Sequence, residues 1–391
     1  MKHTLICTVG TSLFTSNLSK LPNADNYDGW LSLRSPQERQ YLSLELVNKL
    51  KTALDSQDWQ NLALLLSSIP GNTRLCGAEI NSIADLIKHK YCANNCTLMF
   101  CHSATLDGQQ IAKVLQHYYQ AQGHQTEAVE IEDLQDKDPK LFRTKGLRNL
   151  AKTVSKIVRN YNAQYCAINA TGGYKAQIAI AVLMGQALGV AVYYKHELFS
   201  EIIAFPPMPI GLDFSLWLEN SGWLTALDRG EILASQEVEE NWDERMEALV
   251  ERIAMDGKEW LELSPTGQIF HETFKGRFES DRDRVLPPAV AINQKKSPHL
   301  TDHGWGNARQ PILNFLQAIT SNCAYVHSCR THYWNPDLSS SSMFRSKGED
   351  IEGIFSNGSW TVKFTVETSA STQGQRAACI ADLSRFAEDY Y

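Results

Sequence analysis

Four short apolar runs in the first 210 residues constrain this chain more than any other feature. Leu5–Val9 stops at Gly10, Thr11 and Ser12, and Thr97–Cys101 stops at His102, Ser103 and Thr105. Tyr165–Asn169 stops at Ala170, Thr171, Gly172 and Gly173, and Ala191–Tyr194 follows a helical stretch. Runs this short are strands rather than helices, and each of the first three gives way to a segment with helical spacing. Strand, small-residue turn and helix in repetition predict βαβ units on a parallel sheet. In a doubly wound sheet the carboxyl ends of the strands line the ligand crevice, so the small and hydroxyl residues stand where a ligand binds.

The helices follow from periodicity. Ile111, Val114, Leu115 and Tyr118 share one face, and Ile178, Ile180, Leu183, Met184 and Leu188 belong to an almost wholly apolar helix expected to be buried. Pro206, Pro207 and Pro209 interrupt any regular element and set a first boundary. From 211 to 288 the pattern is mainly helical. Ser264 stands as an N-cap with Pro265 at the first helical position, ahead of Gln268–Phe274, which resembles the turn and last helix of a winged-helix unit. Pro287 and Pro288 set a second boundary. After it, a helix with Ile312, Phe315, Leu316 and Ile319, a strand alternating at period two over Trp360–Glu367, and a last helix from Ala377 to Tyr391 read as a small α+β domain. The expected division is 1–210, 211–288 and 289–391.

Composition narrows the class. Of 391 residues, 43% are hydrophobic and 21% charged, the balance of a globular protein without disordered tails. No window approaches the length of a membrane span, and the first apolar run lacks a cleavage site, so neither membrane nor secretion is expected. Nine cysteines include no C-x-x-C pair, which points to reduced thiols in the cytoplasm and to no zinc site. Residues 211–288 carry 18 acidic side chains against 8 basic ones, whereas 295–391 carry 9 of each. An acidic middle region is a poor partner for phosphates and argues against a DNA-binding regulator.

Asn169, Thr171, Gly172, Gly173 and Lys175 lie between a strand and a helix. Adjacent glycines let backbone approach a ligand, a helix amino-terminus favours an anion, and Lys175 adds a positive charge at the first turn. This is a phosphate or nucleotide cradle, though its spacing matches neither the Walker pattern nor the dinucleotide fingerprint. Together with Thr8–Leu13 and Phe142–Leu150, the turn resembles the CARF domains of type III CRISPR-associated proteins, over about 210 residues and with the three motifs in the family's order. The resemblance implies a Rossmann-like α/β fold and a homodimer whose two domains share one cleft for a cyclic oligoadenylate, usually tetra-adenylate. It implies ligand contacts from Gly10, Thr11, Ser12, Ser103, Thr105, Asn169, Thr171, Gly172, Gly173 and Lys175, with no other cofactor. Some such domains also cut their ring, for which Lys175 and the Thr11 and Ser12 hydroxyls are candidates.

For the effector, no arginine is followed by a histidine at the four-to-six-residue spacing of HEPN ribonucleases. Glu349, Asp350 and Glu352 cluster as a metal nuclease would need, but no acidic-x-Lys step precedes Lys363. The remaining pattern loosely resembles RelE-type toxins, which cut messenger RNA without metal. That resemblance assigns Arg330, Arg345, Lys347, Lys363 and Arg376 to charge stabilisation and His327 or His332 to proton transfer. The expectation is a ligand-activated ribonuclease acting on RNA, including ribosome-associated messenger. The alternatives are a ring nuclease or a ligand-responsive transcriptional regulator.

Overall fold

A computed structural model describes residues 1–135, 137–196, 201–209, 211–238, 242–301 and 304–390. The chain divides into two compact units, Met1–Gly211 and Leu212–Tyr391. Tyr391, the expected end of the last helix, lies outside the described residues.

The first unit is an α/β layer structure. Strand β1 (Lys2–Thr8) is followed by α1 (Tyr27–Ser32), α2 (Pro36–Arg39), α3 (Leu44–Asp55), α4 (Trp59–Ser67) and α5 (Gly77–Lys88). Then come β2 (Cys92–Ser103), α6 (Leu106–Gln120), β3 (Thr126–Ile131), α7 (Pro139–Leu141), α8 (Leu147–Tyr161), β4 (Cys166–Asn169), α9 (Lys175–Leu188), β5 (Ala191–Tyr194) and β6 (Ile203–Phe205). The sheet order is β3-β2-β1-β4-β5-β6, parallel from β3 to β5 with an antiparallel edge. From Thr4 to Thr8 every residue of β1 is buried, as a central parallel strand covered on both faces requires. The chain leaves β1 to build one side of the sheet and returns to build the other at β4. The order therefore reverses between β1 and β4, which is where an open sheet leaves a crevice at its carboxyl edge.

The expectation of a buried α9 is corrected. Gln177, Ile180, Ala181, Met184 and Gly185 are buried, but Leu183 is 49% exposed and Ala179 is exposed. A helix on the outside of a sheet covers one face only, and an apolar residue on every face leaves the choice of face to packing.

The second unit begins with α10 (Phe214–Asp228), the three-stranded sheet β7-β9-β8 (Leu233–Ala234, Lys258–Leu263, Val250–Met255) and α11 (Pro265–Val285). The Ser264 hydroxyl accepts from Gly267 N–H at 2.9 Å and Pro265 opens α11, as the sequence predicts. Next are α12 (Arg309–Asn322), the antiparallel sheet β10-β13-β12-β11 (Val326–Asn335, Thr361–Thr368, Asp350–Ser356, Met343–Lys347) and α13 (Gln373–Tyr390). One face of this sheet packs on α12 and α13 through Phe315, Leu316, Ile319, Phe355, Phe364, Cys379 and Leu383. Residues on both sides of Pro287 and Pro288 belong to the same unit. Leu224, Leu227, Phe274 and Phe278 of the middle region share a core with Met343, Ile354, Ala378 and Ala381. A proline pair breaks regular backbone but does not stop side chains from closing over it.

Candidate functional site: a glycine-walled crevice and a charged sheet face

Two loops meet at the reversal point of the parallel sheet. One follows β1 with Gly10, Thr11 and Ser12; the other follows β4 with Ala170–Tyr174. A Cβ on Gly10 would lie 2.6 Å from Gly173 N, so the two backbones touch and only glycine fits there. Gly173 has φ +96, a conformation that L side chains rarely adopt, and a Cβ there would meet Gln177 Oε1. That Gln177 oxygen accepts from Tyr174 N–H at the start of α9.

The polar side chains of the crevice are mostly bound to one another. Asn169 is 1% exposed; its Nδ2 donates to Ser82 Oγ at 2.8 Å and its Oδ1 accepts from Thr171 Oγ1 at 2.7 Å. Thr171 Oγ1 in turn accepts from Lys195 N–H at 3.0 Å, which ties the turn to the end of β5. Ser103 and Thr105 share a hydroxyl bond of 2.7 Å, and Thr105 caps α6 by accepting from Gly108 N–H at 3.2 Å. Asn169, Ser103 and Thr105 thus shape the crevice walls. Thr11, Ser12 and Gly173 are part-exposed, and Lys175 is exposed at the first turn of α9. Phe142 packs edge-on to Tyr174 at 5.3 Å, which brings the Phe142–Leu150 stretch to the same turn.

Sequence reasoning missed Glu79. It sits on α5, 1% exposed, and its Oε1 accepts from Gly10 N–H at 2.7 Å. Burial pushes its carboxyl above the ordinary value, more than the Gly10 bond lowers it. The Gly10 N–H is therefore engaged by protein. The available signal was an acidic residue at the i, i+4, i+7 stripe of Ile83 and Leu86.

In the second unit, the four strands of the antiparallel sheet place a second group. Register aligns Arg345 with Glu352, Glu352 with Thr365, and Thr365 with Arg330, so these side chains share the face away from α12. Lys363 lies two residues along from Thr365 on that face and stands over the Tyr333 ring at 5.3 Å. A register shift between Thr331 and Tyr333 lets both His332 and Tyr333 reach it. Glu352 is the hub. It is 1% exposed and receives Arg345 Nε at 2.9 Å and Nη2 at 2.7 Å, Lys347 Nζ at 2.6 Å and His332 Nε2 at 2.9 Å. Burial alone would raise its carboxyl, but the bonds from Lys347 and Arg345 outweigh that and hold it at about 2.

Four of the five basic residues expected to act together therefore share one sheet face: Arg330, Arg345, Lys347 and Lys363. Arg376 does not join them. It lies in the first turn of α13, on the layer packed against the opposite face, and no hydrogen bond or ion pair links it to the group among the described residues. A basic residue at a helix start carries no register with a distant strand, so sequence could not separate it from the rest. No cluster of three or more metal-ligating side chains occurs among the described residues, and no described helix is long and apolar enough to cross a membrane. All nine cysteines are buried and free.

Residues 74–208 match the family model described as CRISPR-associated protein (Cas_APE2256). That span contains α5 with Glu79, β2 and the whole Asn169–Lys175 turn. No curated protein matches the chain. Among solved structures, it is similar to Can2 from Sulfobacillus thermosulfidooxidans in complex with cyclic tetra-adenylate, at 10% identity over 95% of this chain and 79% of that one, with a TM-score of 0.24. A likeness at that score carries no argument about this chain.

Proposed function

We propose that this protein is a cytoplasmic CRISPR-associated sensor and effector in one chain. Its crevice binds a cyclic oligoadenylate, and occupancy switches on RNA cleavage at the charged face of the C-terminal sheet. The observation that carries the sensor half is the contact of the Gly10 and Gly172–Gly173 loops at the β1/β4 reversal. There the amino-terminus of α9 opens beside backbones that only glycine lets touch, a place suited to a phosphodiester. The CRISPR-associated family match over 74–208 supports the same reading, and the three CARF-like motifs favour cyclic tetra-adenylate. Charge agrees, since no acidic residue stands between Asp138 and Glu197 and Lys175 lies exposed at the first turn of α9.

A ring of repeated phosphates suits a two-fold cleft that offers the same donors twice. The flank of α9 with exposed Ala179 and Leu183 and half-buried Val182, and no charged residue after Lys175, is the surface by which two copies join beside that cleft.

For the effector half, we take Arg330, Arg345, Lys347 and Lys363 as the groups that hold the scissile phosphate and offset its developing charge. His332, oriented by Glu352, moves the proton, and Tyr333 offers a ring to a base. Among the described residues, no carboxylate is hydrogen-bonded to the His327 ring. The segment is neutral as a whole, yet the fold gathers four of its cations on one face.

Incubation with cyclic oligoadenylates of several ring sizes, scored for binding, ring breakdown and cleavage of added RNA in EDTA, tests the whole reading. Tetra-adenylate should bind one ring per two chains and start RNA cleavage that survives chelation. Cleavage lost in EDTA and restored by manganese would overturn the metal-free mechanism, and one ring bound per monomer would overturn the shared cleft.

A further inference from the structure

Glu79 stands beneath the junction of the two glycine loops. Its Oε1 holds Gly10 N–H at 2.7 Å, and the same oxygen is 2.2 Å from where a Cβ on Gly172 would sit. No cation pairs with it among the described residues. From the elements around it, the titratable and charged groups are Cys7 of β1, Cys92, Cys96, Cys101 and His102 of β2, and Arg74 in the turn leading to α5. On α5 itself Asp85 and Lys88 follow, with Lys195, just after β5, paired to Asp85 rather than to Glu79.

A buried carboxylate with no counter-ion, one hydrogen bond behind an anion cradle, repels the ligand that the cradle attracts. The bond it accepts from Gly10 N–H does not need the charge. A neutral carboxyl keeps a carbonyl oxygen for Gly10 N–H and so preserves the loop spacing. We propose that Glu79 is a positioning residue that ties the Gly10 loop to the Gly172–Gly173 turn, and that it takes up one proton when a phosphodiester anion enters the crevice. This rests on the crevice being an anion site, and it makes ligand affinity depend on pH.

The test compares wild type with Glu79→Gln, which retains an acceptor for Gly10, using cyclic tetra-adenylate as probe. Wild-type affinity should fall as pH rises past the titration of Glu79, with a slope approaching about tenfold per pH unit for one linked proton, whereas E79Q should be flat. Equal slopes in the two proteins would overturn the assignment. Ligand-free melting gives an independent readout. Because burial raises the folded carboxyl above its unfolded value, its stabilising contribution is full below the ordinary carboxyl range and is lost as pH climbs through the folded value. The two proteins should therefore diverge with rising pH, E79Q melting higher, and converge in acid; parallel curves would overturn the buried-charge premise. Should E79Q fail to fold, calorimetry of the wild type in two buffers of different ionisation enthalpy measures proton uptake directly, and none across about pH 5 to 8 would sink the proposal. Absence of tetra-adenylate binding at every pH would instead overturn the crevice reading beneath it, while the melting comparison would still report on Glu79.

Discussion

The two sites are built from opposite materials. The crevice of the first unit is made of backbone: glycines that touch, a helix start, and hydroxyl and amide groups already bonded to each other. The sheet face of the second unit is made of side-chain charge, three donors converging on the Glu352 carboxylate with Arg330 and Lys363 beside them. A backbone site tolerates no added atom at its glycines. A side-chain site tolerates substitution in shape and fails when one member of its ion network is removed.

The sharpest way to break the contrast is at Gly172. A Cβ there meets Glu79 Oε1 at 2.2 Å and Thr8 O at 2.5 Å, so Gly172→Ala should destabilise the first unit by about 3 kcal/mol and abolish adenylate binding. Differential scanning calorimetry and a binding isotherm check both, and a well-folded variant with native affinity refutes the backbone account. Next, Arg345→Ala should lower RNA cleavage about 100-fold, the size expected for losing one preorganised charge donor, whereas Arg376→Ala should stay near wild type. Single-turnover rates on a labelled RNA decide it, and equal losses would show that the sheet face is not the unit of function.

Glu352→Ala sharpens the comparison through pH. Removing the buried acceptor leaves Arg345 and Lys347 without their partner and should cost about 2 kcal/mol at neutral pH, less than for a fully buried pair because both cations can reach water. Since the carboxyl is held at about 2 against an ordinary 4.5, its contribution is present above the ordinary value and disappears as pH falls toward 2. Melting curves of wild type and variant should therefore converge in acid, the reverse of the Glu79 pair. The smallest effect is expected at Lys175, exposed and outside the backbone cradle. Lys175→Ala should weaken adenylate binding about tenfold with no change in melting.

Much of the first site was legible before the fold, because its signals are local. A glycine pair after a buried strand and before a helix marks a turn that needs positive φ or close backbone approach, here Gly173 for the first and Gly172 for the second. The small residues ending β1, β2 and β4 had to share an edge once the strands were parallel. Glu79 was not legible: α5 lies some seventy residues from Gly10, and nothing local says that this helix closes under that loop. In the second site the residue types were legible but not their grouping. Arg330, Arg345, Lys347 and Lys363 come from three strands, and only the register of β10, β13, β12 and β11 puts them on one face.

What the sequence determined by itself is therefore whatever depends on near neighbours: the strand and helix periods, the Ser264 cap, the glycine turn and its lysine. The tertiary structure alone decided the exposed flank of α9, the closure of one core across Pro287 and Pro288, the isolation of Arg376 and the burial of Glu79 and Glu352. The physical reason is that backbone propensity and periodicity act over a few residues. Burial is set instead by which distant surfaces remove apolar area from water together, and a charge inside acquires its properties only when those surfaces have closed around it.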